Sequence, residues 1–154
     1  MTLIAAQGDL RWTQTFIGLP FADKGRDWTG CDCWGFNRLV HKEHAGNDLP
    51  SYDGLYVSSA EQREIAGIVA HEAQSPLWQI IGERDGKEFH LREQPRELDI
   101  IWLRRGRLDA HCGLFLRPGL MLHMVEHDCS KIERYDDGPP WAGRVTGIYR
   151  WRGA

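Results

Sequence analysis

Apolar positions along the chain follow two rhythms. In the first half they recur at helical spacing; from about residue 98 they gather in short, strand-like blocks. Cys33, Phe36 and Val40 fall on one helical face, Asp32 is a good N-cap and Gly46 is placed for a stop, so a helix is expected from Cys33 to about Ala45. A second should start near Ser58, where "SSAE" has the capping-box form. It would turn Ile65, Ile68 or Val69, and Ala73 inward and end at Pro76. Four β-type runs follow: "LDIIWLR" (98–104), "AHCGLFL" (110–116), "LMLHMVE" (120–126) and "VTGIYRW" (145–151). Helices first and an antiparallel sheet afterwards predict an α+β fold. No repeat, low-complexity tract or change of composition marks a linker, so residues 1–154 read as one domain, large enough to bury a core without staples.

Composition narrows the class of partner. A hydrophobic fraction of 42% with 27% charged residues is ordinary for a soluble globular protein. A formal charge of -3 gives no electrostatic reason to expect nucleic acid or an anionic membrane. The start, "MTLIAAQGDLRW", has a short apolar run, no basic region before it and an early Asp9. It fits neither a signal peptide nor a spanning helix. The expectation is synthesis in the cytoplasm, no export by a signal peptide and no insertion into membrane. In that compartment the four cysteines are expected as thiols.

The stretch "TGCDCWGF" (29–36) concentrates the chemistry. A zinc site wants paired ligands at closing distances, repeated later in the chain. Cys31 and Cys33 are one residue apart, and His111, Cys112 and Cys129 supply no second pair of that kind, so no metal is expected. Cys33 is distinguished by its place in the first turn of the expected helix. The unpaired N–H groups and positive dipole end there favour a negative sulfur and can hold a developing oxyanion. Gly35 lets a substrate or a neighbouring strand come close. A small buried residue remains the simpler reading of any isolated cysteine.

A thiolate nucleophile needs an imidazole to take its proton and a third group to orient that imidazole. Of the seven histidines, His41 and His44 fall late on the Cys33 helix, where a solvated face is expected. His71 falls on the exposed face of the second helix, and His90 in a charged loop. His111 differs, since it opens the apolar strand "HCGLFL", and His123 stands in the next strand, "MLHMVE", beyond the turn "RPG".

Together these residues resemble the NlpC-type papain-like cell-wall peptidases. That family places Asp-Cys at a helix start within Gly-x-Asp-Cys-x-Gly, matched by Gly30 to Gly35. A Pro-Gly-Asp strand follows, matched loosely by "PRELDII", then a His-x-Gly strand matched by His111 to Leu114. A second histidine on the following strand is matched by His123. The three elements occur in order between about Phe16 and Val125. The tryptophan after the cysteine and "LVHKEHAGNDLPSY" look most like the subgroup found in phage-tail and gene-transfer-agent clusters. The resemblance implies a papain-like fold with the nucleophile helix packed on an antiparallel sheet. It implies Cys33 as nucleophile, His111 as base and His123 orienting His111. Asp32, Trp34, Gly35 and Phe21 would lie at the substrate or oxyanion side, without metal or organic cofactor. The implied substrate is the peptidoglycan stem peptide, cut between D-glutamate and the diamino acid through a thioester. The implied partners are tail-tip or hub proteins of a phage-like particle, acting in the periplasm. Phe21 stands where many members carry tyrosine, so a hydroxyl is missing there, and the Pro-Gly-Asp turn retains only Pro95 and Asp99. A second reading, from another class, is a catalytically silent tail-tip component, for which the seven tryptophans supply docking surface.

Strand parity adds a geometric expectation. A two-residue loop Pro118-Gly119 between uninterrupted strands puts His123 and His111 on opposite faces. A three-residue loop, or a bulge of the same effect, sets Gly113 across from His123 and lets the two rings meet, with Cys33 on the other side of His111.

Overall fold

A computed structural model of the chain describes residues 9–52, 76–105 and 108–153. The helix expected at Cys33 is α1 (Cys33–Val40). Asp32 caps it with extended main chain, its carboxylate accepting the Gly35 N–H at 2.6 Å. The coil continues over His41–Ala45 in the wider π form until Gly46, at φ 71°, ends it in the left-handed region. Seven of the eight residues of α1 are buried. It is a core helix surrounded by protein. The second expected helix falls outside the described residues. Among the described residues no helix is long and apolar enough to cross a membrane.

Before α1 come a 3-10 turn (Arg11–Phe16) and a two-stranded ribbon, β1 (Arg26–Asp27) with β2 (Gly30–Cys31). The remaining strands are β3 (Trp78–Asp85), β4 (Glu88–Leu91), β5 (Ile100–Arg105), β6 (Leu108–Arg117), β7 (Leu120–Met124), β8 (Ser130–Arg134) and β9 (Val145–Trp151). They form one antiparallel sheet in the order β4-β3-β9-β5-β6-β7-β8. The four expected strands are β5, β6, β7 and β9. Three more, β3, β4 and β8, were not foreseen, and His90 lies in β4, where a loop was expected.

Alternation divides each central strand between two cores. On the α1 side, Ile100 and Trp102 of β5, Cys112 and Leu114 of β6, and Leu122 and Met124 of β7 pack with Cys33, Trp34, Phe36 and Val40. On the far side, Ile101, Leu103, Phe115 and Met121 pack with Ile148 and Trp141. Trp34 is wholly buried, donates its indole N–H to the Pro50 carbonyl at 2.9 Å and stacks toward Trp102. A side chain of that size locks the helix to the sheet, and its truncation to alanine would cost about 3–5 kcal/mol. Arg150 of β9 ties down the approach to β5, bonding both carboxylate oxygens of buried Asp99 at 2.9 Å.

The β6–β7 hairpin answers the parity question. Arg117 pairs with Leu120, so the loop itself has two residues. Between Phe115 and Arg117 the register shifts, and Leu114 then pairs with Leu122. The extra residue, Leu116, is a bulge with the effect of a longer loop. Continued one step, the register sets Gly113 across from His123, where a Cβ at 113 would stand 3.0 Å from His123 Cβ.

Candidate active site

Cys33 is the first residue of α1 and is 1% exposed. Its described sulfur neighbour is the thiol of Cys112 in β6. Burial first, and then this hydrogen-bonded contact with Cys33, hold the Cys112 thiol well above the ordinary range. Cys31, two residues before Cys33, is a different kind of thiol. It is wholly buried at the end of β2, donates to the Asp27 carbonyl of β1 at 3.1 Å and is pushed up to about 12, chiefly by burial. A sulfur held protonated in this way is a poor nucleophile. All four cysteines are unbridged, and no group of three potential metal ligands occurs among the described residues.

His111 precedes Cys112 in β6 and faces the other way, onto Trp141, whose ring stacks on it at 4.6 Å. His111 and His123 meet directly: Nε2 of the first lies 2.7 Å from Nδ1 of the second. His111 is 1% and His123 0% exposed. Trp141 also meets the edge of His123, so the pair is covered by an apolar ring. Beyond His123 lies a residue the sequence reading missed. Its Nε2 is 2.9 Å from a carboxylate oxygen of Glu133 in β8. Burial pulls the His123 pKa down, against the opposing hydrogen bond from Glu133, so the ring is held toward its neutral form. The only signal for Glu133 was alternation within "SKIER", useless without knowing that β8 pairs with β7 at Met121–Glu133.

The remaining expected residues frame the site. The Asp32 carboxylate is fully buried and divided between the Gly35 N–H and Arg26 Nη1 at 2.9 Å. Arg26 continues to the hydroxyl and carbonyl of Ser51, so one guanidinium fastens the helix start to the loop at Ser51. At Gly35 a Cβ would collide with the Gly25 carbonyl oxygen, so the close approach this glycine allows is made by the chain itself. Trp34 points into the core. The described contacts of Asp32, Trp34 and Gly35 build and brace the helix start, and their place at the substrate or oxyanion side stays a proposal. Half-buried Phe21 bonds through its N–H to the Asp128 carbonyl at 3.0 Å, and its ring lies 5.2 Å from that of His127. The expectation of a solvated face is corrected for His41, which lies in the interior at 2% exposure. Its Nε2–H donates to the Leu98 carbonyl at 2.8 Å, while its Nδ1 accepts from the Asn47 amide at 3.1 Å. His44 stays near the surface, stacked on Trp12 at 3.8 Å.

A capped helix starting in cysteine, laid on an antiparallel sheet that carries a buried histidine pair, defines the papain-like class. A family model described as the NlpC/P60 family matches residues 18–150, and the chain belongs to that family. Two solved structures share the fold. One is an NlpC/P60 family protein from Bacillus cereus ATCC 10987 (TM-score 0.55, 21% identity), aligned over 90% of this chain and 37% of its own. The other is the NlpC/p60 domain of the peptidoglycan hydrolase SagA (TM-score 0.51, 15% identity), aligned over 94% and 93%. The chain thus spans well under half of the Bacillus protein. Comparison with curated proteins gives no match.

Proposed function

We propose that the chain is a cysteine endopeptidase that hydrolyses peptidoglycan stem peptides, with Cys33 as nucleophile, His111 as base and His123 orienting His111. The observation that carries this reading is the buried His111–His123 contact at 2.7 Å, in the strand whose next residue, Cys112, touches the Cys33 thiol. Family membership and the likeness to a peptidoglycan hydrolase domain support it. His111 takes the thiol proton, and the sulfur attacks the carbonyl carbon of the scissile amide. The tetrahedral oxyanion collapses to a thioester, and the departing amine takes the proton back from the imidazolium. Water, deprotonated by His111, then cleaves the thioester and returns the thiol. The start of α1 offers backbone N–H groups for the oxyanion, in place of the hydroxyl absent at Phe21. No step requires a metal or an organic cofactor.

At finer grain, the bond between D-glutamate and the diamino acid is the proposed target, and a phage-like tail tip the proposed setting, both resting on family resemblance. The silent-component reading is favoured by one observation, the 1% exposure of both Cys33 and His111. Incubation of purified protein with Gram-negative sacculi separates the two. Release of soluble muropeptides, lost in Cys33→Ser, supports the peptidase; intact sacculi under every condition support the silent component. Mass spectrometry of purified particles tests the setting, and absence of the chain from them would argue for a free enzyme.

A further inference from the structure

We propose that Glu133 is a positioning residue of this site: by accepting the His123 Nε2 proton it fixes the tautomer of both histidines and keeps His111 Nδ1 as the lone-pair nitrogen. This deepens the peptidase reading, resting on His111 as its base, but concerns a residue which that reading leaves out.

Two contacts settle the direction of the chain. A carboxylate oxygen can only accept, so the 2.9 Å contact makes His123 Nε2 the donor. A neutral imidazole carries one proton, which leaves His123 Nδ1 with a lone pair. The 2.7 Å contact then requires His111 Nε2 to donate, and the one proton of neutral His111 is spent there. Nδ1 of His111 is left basic, the state a general base for a thiol must have. The opposite arrangement runs the protons the other way. His123 Nδ1–H would donate to His111 Nε2, and His111 would carry its proton on Nδ1, where it could accept none. In that arrangement the His123 Nε2 lone pair would face the Glu133 oxygen across 2.9 Å, acceptor against acceptor. Glu133 therefore excludes the unproductive arrangement.

The scaffold supports the same conclusion. Register in the β7–β8 pair puts Lys131 across from His123, and alternation turns Glu133 to the same face. Gly113 provides the space in which the His123 ring leans toward His111. Trp141 packs on both rings, stacked on His111 and near-perpendicular to His123. The Glu133 side chain is 35% exposed while the His123 side chain is fully buried; the carboxylate is the wet end of a dry chain. It opens on a cavity of about 240 Å³ also lined by Arg104, Val125, Pro140, Trp141 and Arg144. The charged groups that face the relay are thus Lys131, ion-paired to Asp128 at 2.9 Å, and the two arginines across the cavity.

The direct test is nitrogen NMR of the two imidazoles in the full chain, without substrate, with kcat/KM for muropeptide hydrolysis measured in parallel. Wild type should show His111 and His123 both protonated at Nε2. Glu133→Ala should populate the second arrangement, with protons at Nδ1 of both rings, and lower kcat/KM by roughly tenfold to a hundredfold through kcat, with KM little changed. Glu133→Gln keeps the shape and guards against a folding failure in the alanine variant. Its amide can accept or donate, so it should give a mixture of tautomers and intermediate activity. Wild-type His111 protonated at Nδ1, or tautomers unchanged in a folded Glu133→Gln, would overturn the proposal. If tautomers shift as expected but no chain variant or wild type cleaves muropeptides, the positioning role stands and the peptidase reading fails.

Discussion

His41 offers a stability test that does not depend on any assumption about substrate. In the folded chain its pKa is pulled down from 6.5 to about 4, first by burial, against a partial offset from its bond to the Leu98 carbonyl. The direction fits the bonding, since a proton added at Nδ1 would displace the Asn47 amide that donates there at 3.1 Å. With the folded pKa below the unfolded one, the unfolded chain binds more protons between the two values. Stability is therefore full above about pH 6.5, falls as the pH drops toward 4 and receives no further loss from this group below that. A gap of about 2.5 pH units at roughly 1.4 kcal/mol each comes to about 3 kcal/mol. His41→Gln supplies the reference, because glutamine still offers an N–H to the Leu98 carbonyl and does not titrate. It should cost about 1–2 kcal/mol at pH 7, since the Asn47 amide loses its acceptor. Between pH 6.5 and 4 the wild type should lose about 3 kcal/mol more than the variant in urea-unfolding free energy. His123, also pulled down by burial, and Asp99, raised chiefly by burial, contribute equally to both chains and cancel in the difference. Parallel curves for the two proteins over that range would refute the reasoning.

Other substitutions probe the frame. Gly35→Ala must push the Gly25 carbonyl off the helix start and should lower unfolding free energy by about 1–3 kcal/mol in urea melts. Asp99→Ala removes two of the bonds to the Arg150 guanidinium and leaves it with the Glu93 carboxylate and the Gln94 carbonyl, so it should cost about 1–3 kcal/mol, seen as a fall in Tm. Cys31→Ala, Cys112→Ala and Cys129→Ala should each retain most activity; loss in Cys31→Ala equal to that in Cys33→Ser, with the fold intact, would restore the paired-cysteine reading. EDTA should leave hydrolysis unchanged while a thiol alkylator abolishes it, and zinc-reversible inhibition by EDTA would refute the thiol mechanism.

What the sequence disclosed follows from the range of the forces involved. The Asp32 cap and the Gly46 stop are local matters of side chain, main chain and φ, so both were legible. The parity of β6 and β7 required an odd step between His111 and His123, but nothing in "LFLRPGL" located the bulge at Leu116. Strands β3, β4 and β8 carry charged, half-exposed positions whose alternation is blurred, so their pairing is set by neighbours in the sheet. His41 was misread because it opens the π segment His41–Ala45, where it turns inward while the four residues after it are exposed. Gly25 against Gly35 and Glu133 against His123 are contacts between segments distant in sequence, and no local pattern announces them.

The central claim, that Cys33 is the nucleophile of a cell-wall peptidase, is tested most directly by intact-protein mass spectrometry during turnover of a muropeptide, paired with product analysis. The account predicts a transient adduct of the acyl fragment on Cys33, new amino termini in the released peptides, and neither in a folded Cys33→Ser variant. Turnover that persists undiminished in Cys33→Ser would contradict it.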